Sequence, residues 1–346
     1  MLPIFRSRED RLRPYLEPLL KDMLFTEIPE DYLEGQTDLS FMAKVPFPVK
    51  KGEMYDLTDS GLSAVQIADN IALVIGANTG FRYADAYLQF LNKLFDEKLV
   101  GVLTGKGKNE LRSGNYRLGL AYLRAAMMFR DDSLEAMFSY ASGCRYWYSQ
   151  LEGSEEDTEL IRVLKSEANE YFEHTTDKHP EFAGGWYFLG YTYLNEGMYL
   201  KAEIVWRHYL ETADRSSEAE AESIKEIEER IAALRDPVKI ERGVELLNSG
   251  RIMDGLAILE PYVQTDYSKW WPLHFYLGCA YNELGETAEA IEGFLNVLKL
   301  SPSNVEAMEA LADLYAKTGD AEKSEKYANK AALIKAQNAP ASEVLN

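Results

Sequence analysis

Apolar residues recur in pairs four positions apart along most of the chain, the spacing that puts side chains on one face of a helix. Leu189 and Tyr193 make one such stripe, and Ala202 with Trp206 makes a second. Gly190 lies within the first stripe, where the missing side chain lets another helix come close. Gly197 falls between the two and turns the chain. The unit predicted is a helical hairpin. The same set returns as Leu277-Gly278, Tyr281, Gly285, Ala290 and Phe294, with Pro302 after it. Neither helix of such a hairpin buries its stripe alone, so stacked hairpins must share one core.

The recurrence is phased. Gly278 and Ala312 are 34 residues apart, as are Gly285 and Gly319, and Gly107 and Ala141. Gly243 to Gly278 is 35. Ala141 to Gly190 is 49 and Gly190 to Gly243 is 53, which are one period plus insertions of 15 and 19. Six repeats are predicted, starting near Val100, Leu134, Ala183, Asp236, Trp271 and Val305. Gly255 and Leu259 carry the second stripe of the fourth. The sixth is degenerate, with Ser324 and Ala328 at the stripe positions.

Trp186, Leu189-Gly190, Tyr193, Ala202 and Trp206 resemble the tetratricopeptide repeat, whose signature is Trp-x2-Leu-Gly-x2-Tyr, then Ala-x3-Phe and Pro, on a 34-residue period. The resemblance runs over residues 100–338. It implies an all-α fold: a right-handed superhelical solenoid of antiparallel helix pairs, preceded here by an N-terminal helical extension. A first array is expected over 99–235, with a helix at 217–235 that closes it or wedges between two arrays, and a second array over 236–338. In that helix Ile224, Ile227, Ile231 and Leu234 form the stripe, Ser217 is placed to cap it, and Pro237 blocks its continuation.

Residues 1–58 do not fit the repeat. Leu12, Leu16, Leu19, Leu20 and Met23 have helical spacing and predict a short amphipathic helix with Pro14 near its start. From Ile28 to Asp56 the prolines Pro29, Pro46 and Pro48 predict extended or looped chain. This segment is expected to cap the open end of the solenoid, or alternatively to lie in its groove. Residues 59–98 predict a further hairpin, with Leu62, Ile67, Ile71 and Val74 on one helix and Tyr83, Leu88, Leu91 and Phe95 on the other. Gly153 to Asp157 is expected to be an exposed turn, and 339–346 a frayed tail.

Composition narrows the partners. Of 346 residues 46% are hydrophobic and 27% charged, which marks a folded chain. The net charge of -20 argues against nucleic acid and against an anionic membrane surface, and permits a basic or neutral polypeptide. The N-terminus lacks a long apolar run, and the two cysteines, Cys144 and Cys279, are expected to be buried thiols in a reducing compartment. A cytoplasmic address follows as the expectation.

The resemblance implies that the first helices line a concave groove. Its residues in the second repeat would be Phe138, Ser142, Arg145 and Tyr146. In the third they would be Tyr187, Tyr191, Leu194 and Asn195. In the fourth they would be Ile240, Val244, Leu247 and Asn248, and in the fifth Phe275, Cys279, Asn282 and Glu283. Side-chain amides such as Asn195, Asn248 and Asn282 both donate and accept, which suits the backbone of an extended peptide. Tyr and Phe offer flat apolar area at small entropic cost.

Other motifs fail on their spacing. Lys106, Lys108 and Asn109 come nearest to the carboxylate clamp that some members of the family carry, but Thr104 stands where its first lysine belongs. Gly101 to Gly107 lacks the four-residue gap and the Ser or Thr of a phosphate loop. His174 and His179, five apart across a helix end, do not share a face. Trp270 and Trp271 are expected to fill a junction between repeats. No cofactor, metal or catalytic constellation is expected. The function expected is a non-catalytic scaffold for a protein or peptide. The alternatives are a small-molecule sensor or enzyme with a pocket between residues 1–98 and the repeats, and self-association through an uncapped repeat.

Overall fold

The computed structural model describes residues 9–27, 37–42, 44–59, 61–95, 98–152 and 158–338. The predicted turn at 153–157, the tail at 339–346, and Pro29 lie outside them. Seventeen α-helices and a two-stranded antiparallel sheet occur among the described residues, giving an all-α solenoid of stacked hairpins with a small sheet near its start. The chain divides into two compact units, Met1–Glu196 with Val205–Asp214, and Gly197–Ile204 with Arg215–Asn346.

In the first unit, the amphipathic helix predicted through Met23 is cut short. Helix α1 spans only Arg13–Leu16, a 3-10 turn follows at Glu17–Leu20, and Met23–Thr26 is strand β1. Pro18 is the physical reason, since it has no N–H for a continuing helix and clashes with the turn before it. β1 pairs with β2, Phe47–Lys50, in the register Met23 to Lys50 and Thr26 to Phe47. The segment expected to be looped also holds 3-10 turns at Thr37–Met42 and Lys51–Glu53, and α2 begins at Met54 and ends at Asp59.

The predicted hairpin after it is α3, Ala64–Ala77, and α4, Ala84–Leu94. Ser63 and Gln66 form a capping box that starts α3. From Asn70 to Ala77 that helix is buried on every side. It packs against α6, Tyr116–Phe129, which pairs with α5, Lys98–Arg112, as the first repeat. At Gly76 the two backbones touch: a Cβ there would fall on the carbonyl oxygen of Ala121. Backbone cannot swing aside as a side chain can, so Gly76→Ala is expected to cost about 1–3 kcal/mol by overpacking. Chemical denaturation of the variant checks this, with an unchanged midpoint as the contrary result.

The second repeat is α7, Leu134–Leu151, with α8, Thr158–Lys178. Its helices have 18 and 21 residues, against 13 for α9, Ala183–Asn195, and 14 for α10, Tyr199–Thr212. The 15-residue insertion is therefore absorbed largely by lengthening both helices. One hydrophobic core runs through this unit from Leu12 to Val205.

Charged groups pin the N-terminal segment to the repeats. Arg124 on α6 is 1% exposed and meets Asp10 at 2.5 Å. Asp10 also accepts from the Thr79 hydroxyl at 2.8 Å and its N–H at 3.2 Å. Burial pushes the Asp10 carboxyl up, but Arg124 and the Thr79 hydrogen bonds prevail and hold it below the usual carboxylate range. Beside it Arg11 pairs with Glu167 at 2.8 Å and Glu170 at 2.6 Å, and buried Tyr140 donates to Glu167 at 2.8 Å.

The second unit contains α11, Glu218–Ala233; α12, Arg235–Asn248, with α13, Ile252–Leu259; α14, Trp271–Leu284, with α15, Thr287–Leu300; and α16, Val305–Lys317, with α17, Ala321–Asn338. The helix assigned from the sequence to the end of the first array, α11, belongs to this unit, and its Ile224 and Ile227 are buried. Ser217 makes no side-chain cap bond there. Glu218 and Glu220 in the first turn complement the helix dipole instead. Pro237 stands inside the first turn of α12 rather than beyond a helix end.

Two features repeat with the hairpins. Gly114, Gly197, Gly250, Gly285 and Gly319 each turn the chain with φ of 73° to 81°, a region that a Cβ disfavours. The signature tyrosines reach back to the preceding repeat: Tyr193 donates to Glu173 and Tyr281 to Glu260, each at 2.6 Å. Burial and then the carboxylate raise both phenols, that of Tyr281 to about 12.

Candidate partner-binding surface

In the first unit the predicted groove positions on α7 and α9 meet. Ser133 caps α7 by accepting from the Ala136 N–H, and Phe138 lies one turn on. Its ring packs on Phe172, Phe182 and Phe188 at centroid distances of 6.0, 5.0 and 5.6 Å. Phe138 is thus mainly a packing residue. Arg145, two turns further along α7, lays its guanidinium 4.9 Å over the Phe188 ring and 5.6 Å over Tyr191. Tyr191 touches Tyr187 at 5.2 Å, and Tyr187 in turn meets Phe188 at 5.1 Å. Behind them the Trp206 indole N–H donates to the Tyr187 carbonyl at 3.1 Å. The outcome is a ladder of half-buried aromatic rings bearing one cation; Tyr146, next to Arg145 on α7, and Asn195, one turn beyond Tyr191 on α9, are exposed, and Leu194 is half-buried. Phe188, the centre of this ladder, was missed in the sequence. The run Trp186-Tyr187-Phe188 was the available signal, since three successive aromatics must cover more than one face.

A pocket of about 720 Å³ opens beside Tyr146, bounded by Lys108, Arg112, Tyr116, Ser139 and Ser142. Tyr116 stacks on Trp147 at 5.9 Å. Lys108 is held by Glu135 at 2.6 Å, and Lys106 by Asp69, which also accepts from Lys50 and Tyr122 at 3.0 Å. Both lysines that resembled a clamp are thus engaged within the fold, and the glycines from Gly101 to Gly107 lie inside α5.

In the second unit the predicted positions are more dispersed. Val244 is half-buried against the core formed by α12, α13 and α14, and Asn248 is exposed at the end of α12. Phe275 packs edge-on against Phe294 at 5.6 Å, which makes it part of the core between the fifth and sixth repeats. Asn282 is half-buried in the last turn of α14. Trp271 joins that core, whereas Trp270 is 41% exposed and borders a second pocket with Ile240 and Val244. Cys144 is buried, but Cys279 is only half-buried, its thiol pushed up by burial and by Glu283 and Glu306.

The histidines take structural places. His274 is buried with Nε2 2.8 Å from the Ser268 carbonyl, His179 Nε2 lies 2.8 Å from the Asp132 carbonyl, and His208 stacks on Trp186 at 4.9 Å. Among the described residues no group of three His, Cys, Asp or Glu side chains is placed to hold a metal, and no helix is long and apolar enough to cross a membrane.

The tetratricopeptide repeat family matches residues 275–343. No curated protein matches the chain. Among solved structures, a MamA fragment from Desulfovibrio magneticus RS-1 is 17% identical over 58% of this chain and 97% of its own, with a TM-score of 0.34. YrrB, described as a TPR protein with an unusual peptide-binding site, is 15% identical over 62% of this chain and 93% of its own, with a TM-score of 0.31. The TPR domain of P58(IPK) is 18% identical over 69% of this chain and 61% of its own, with a TM-score of 0.34. These scores are too low for the likenesses to carry an argument. The family match falls on the fifth and sixth hairpins, so residues 275–343 are tetratricopeptide-like repeats, and the turn glycine of those hairpins recurs at Gly114, Gly197 and Gly250 in hairpins before them.

Proposed function

We propose that the chain is a cytoplasmic, non-catalytic scaffold that holds a polypeptide against the first-helix faces of its repeats. The observation that supports this is the ladder of Tyr187, Phe188 and Tyr191 under the Arg145 guanidinium, with exposed Tyr146 next to Arg145 on α7 and exposed Asn195 one turn beyond Tyr191 on α9. Flat rings bury apolar side chains at small entropic cost, and an amide at the rim both donates to and accepts from a peptide backbone. Two free cysteines suit a reducing compartment. In the second unit the same role falls to Val244, Asn248 and Asn282, with Phe275 setting the spacing of the helices.

The test is comparative capture by the full chain from the native lysate, read by mass spectrometry, with a Tyr146→Ala, Tyr191→Ala, Asn195→Ala variant alongside. Partners are expected to be enriched by the wild type and reduced about tenfold or more by the variant, since loss of central aromatic contacts costs more than about 1 kcal/mol each. Equal capture by two equally folded proteins would remove the groove from the explanation.

A further inference from the structure

Within the second unit, a pocket of about 540 Å³ is walled by four aromatic side chains, Tyr199, Tyr267, Trp270 and Tyr276, and by two carboxylates, Glu241 and Asp266. Ile240 and Val244 of α12 also line it, and no basic side chain does. Its volume falls in the range of about 300–1,000 Å³ usual for ligand pockets.

The walls are fixed by their neighbours. Tyr267 packs edge-on against Tyr262 at 5.5 Å, and Tyr262 donates its hydroxyl to Asp236 at 3.2 Å. Thr265 caps the turn that carries Asp266 and Tyr267 by accepting from the Tyr267 N–H. Glu241 accepts from the Leu200 N–H at 2.7 Å, which ties α12 to the start of α10 and sets the orientation of its carboxylate.

Aromatic faces carry negative potential and attract cations, and do so more strongly when water is excluded. Carboxylates at the rim of such rings select a cation that donates hydrogen bonds. Lys269 contacts Asp266 at 3.3 Å, but these side chains are 80% and 99% exposed. An exposed pair of that kind is easily displaced. The net charge of -20 adds long-range attraction for a basic segment.

We infer that this pocket takes an arginine side chain of the polypeptide partner, the guanidinium stacked on Trp270 and the tyrosines and hydrogen-bonded to Glu241 and Asp266. A planar guanidinium satisfies both requirements, stacking on rings and presenting a fork of N–H donors to carboxylate, whereas an ammonium is a hydrated point charge. The inference rests on the scaffold reading above, and gives it a sequence preference that the first unit's aromatic ladder does not supply.

The experiment uses the full chain and blocked Gly-Ser peptides with a single central arginine, lysine, trimethyl-lysine or citrulline, titrated by isothermal calorimetry or NMR. Saturable binding is expected for the arginine peptide, weaker binding for lysine and trimethyl-lysine, and none for citrulline, which keeps the shape and loses the charge. Trp270→Leu, at an exposed position, is expected to weaken the arginine peptide by about three- to thirtyfold. Asp266→Asn is expected to weaken it and to flatten its salt dependence. Citrulline binding equal to arginine, tighter binding of either lysine peptide, or an unaffected Trp270→Leu variant with wild-type circular dichroism would each overturn the assignment. Failure here leaves the capture experiment on Tyr146, Tyr191 and Asn195 unaffected, because those substitutions lie in the other unit.

Discussion

Replacing Asp10 with alanine is expected to lower the stability of the first unit by about 3–5 kcal/mol, the usual cost of removing one partner from a buried ion pair. Arg124 is 1% exposed and fully charged at any ordinary pH, so losing the carboxylate at 2.5 Å removes the countercharge in contact with a buried cation. Thr79 loses its acceptor in the same step. Urea unfolding followed by tryptophan fluorescence measures the effect, and a loss below about 1 kcal/mol would mean that nearby Glu167 suffices. The double variant Asp10→Leu, Arg124→Met is expected to recover most of the loss, because apolar replacements remove the desolvation cost along with the pair. Acid provides a second check. The folded Asp10 carboxyl is held below its ordinary value, so its contribution is complete above the usual carboxylate range and disappears as pH falls through the folded value. The stability gap between wild type and Asp10→Ala should therefore narrow in acid and persist at neutral pH.

Trp206→Ala is expected to have an effect of similar size, about 3–5 kcal/mol. The indole is fully buried in the space that Gly190 leaves open, and its N–H satisfies the Tyr187 carbonyl. Alanine would leave a cavity beside Tyr191, whose ring packs edge-on against the indole at 5.2 Å. Because repeats couple mainly to their neighbours, the loss is expected to be local. Hydrogen exchange should quicken first in α9 and the end of α10, while amides of α14 to α17 keep their protection. Uniform loss of protection along the chain would contradict this.

The hairpins were legible because a 34-residue period forces the same small and large residues to recur. The six predicted starts fall within two residues of observed helix starts, Lys98, Leu134, Ala183, Arg235, Trp271 and Val305. What periodicity does not carry is chemistry between distant segments. Asp10 and Arg124 stand 114 residues apart, and nothing local marks them as partners. The N-terminal segment misled for a related reason. Its leucines keep helical spacing, yet Pro18 and the pairing with Phe47–Lys50 override it. At the candidate surface, positions inferred from the family pattern located Arg145, Tyr187 and Tyr191 on adjoining helices. They did not separate ring-to-ring packing, as at Phe138 and Phe275, from rings left for a ligand. That difference depends on neighbours such as Phe182 and Phe294, which only the folded chain brings close.

The hydrophobic clusters have a mechanical consequence. Residues Leu12 to Val205 share one cluster, whereas the last three hairpins are divided between one cluster around Leu273 and another around Phe294. Under tension the terminal hairpin should peel away early, releasing about 110–120 Å of contour for its 34 residues. The opening block would yield as a single brittle event at greater load. A chain assembled in this way is a rope knotted firmly at one end and laced loosely at the other.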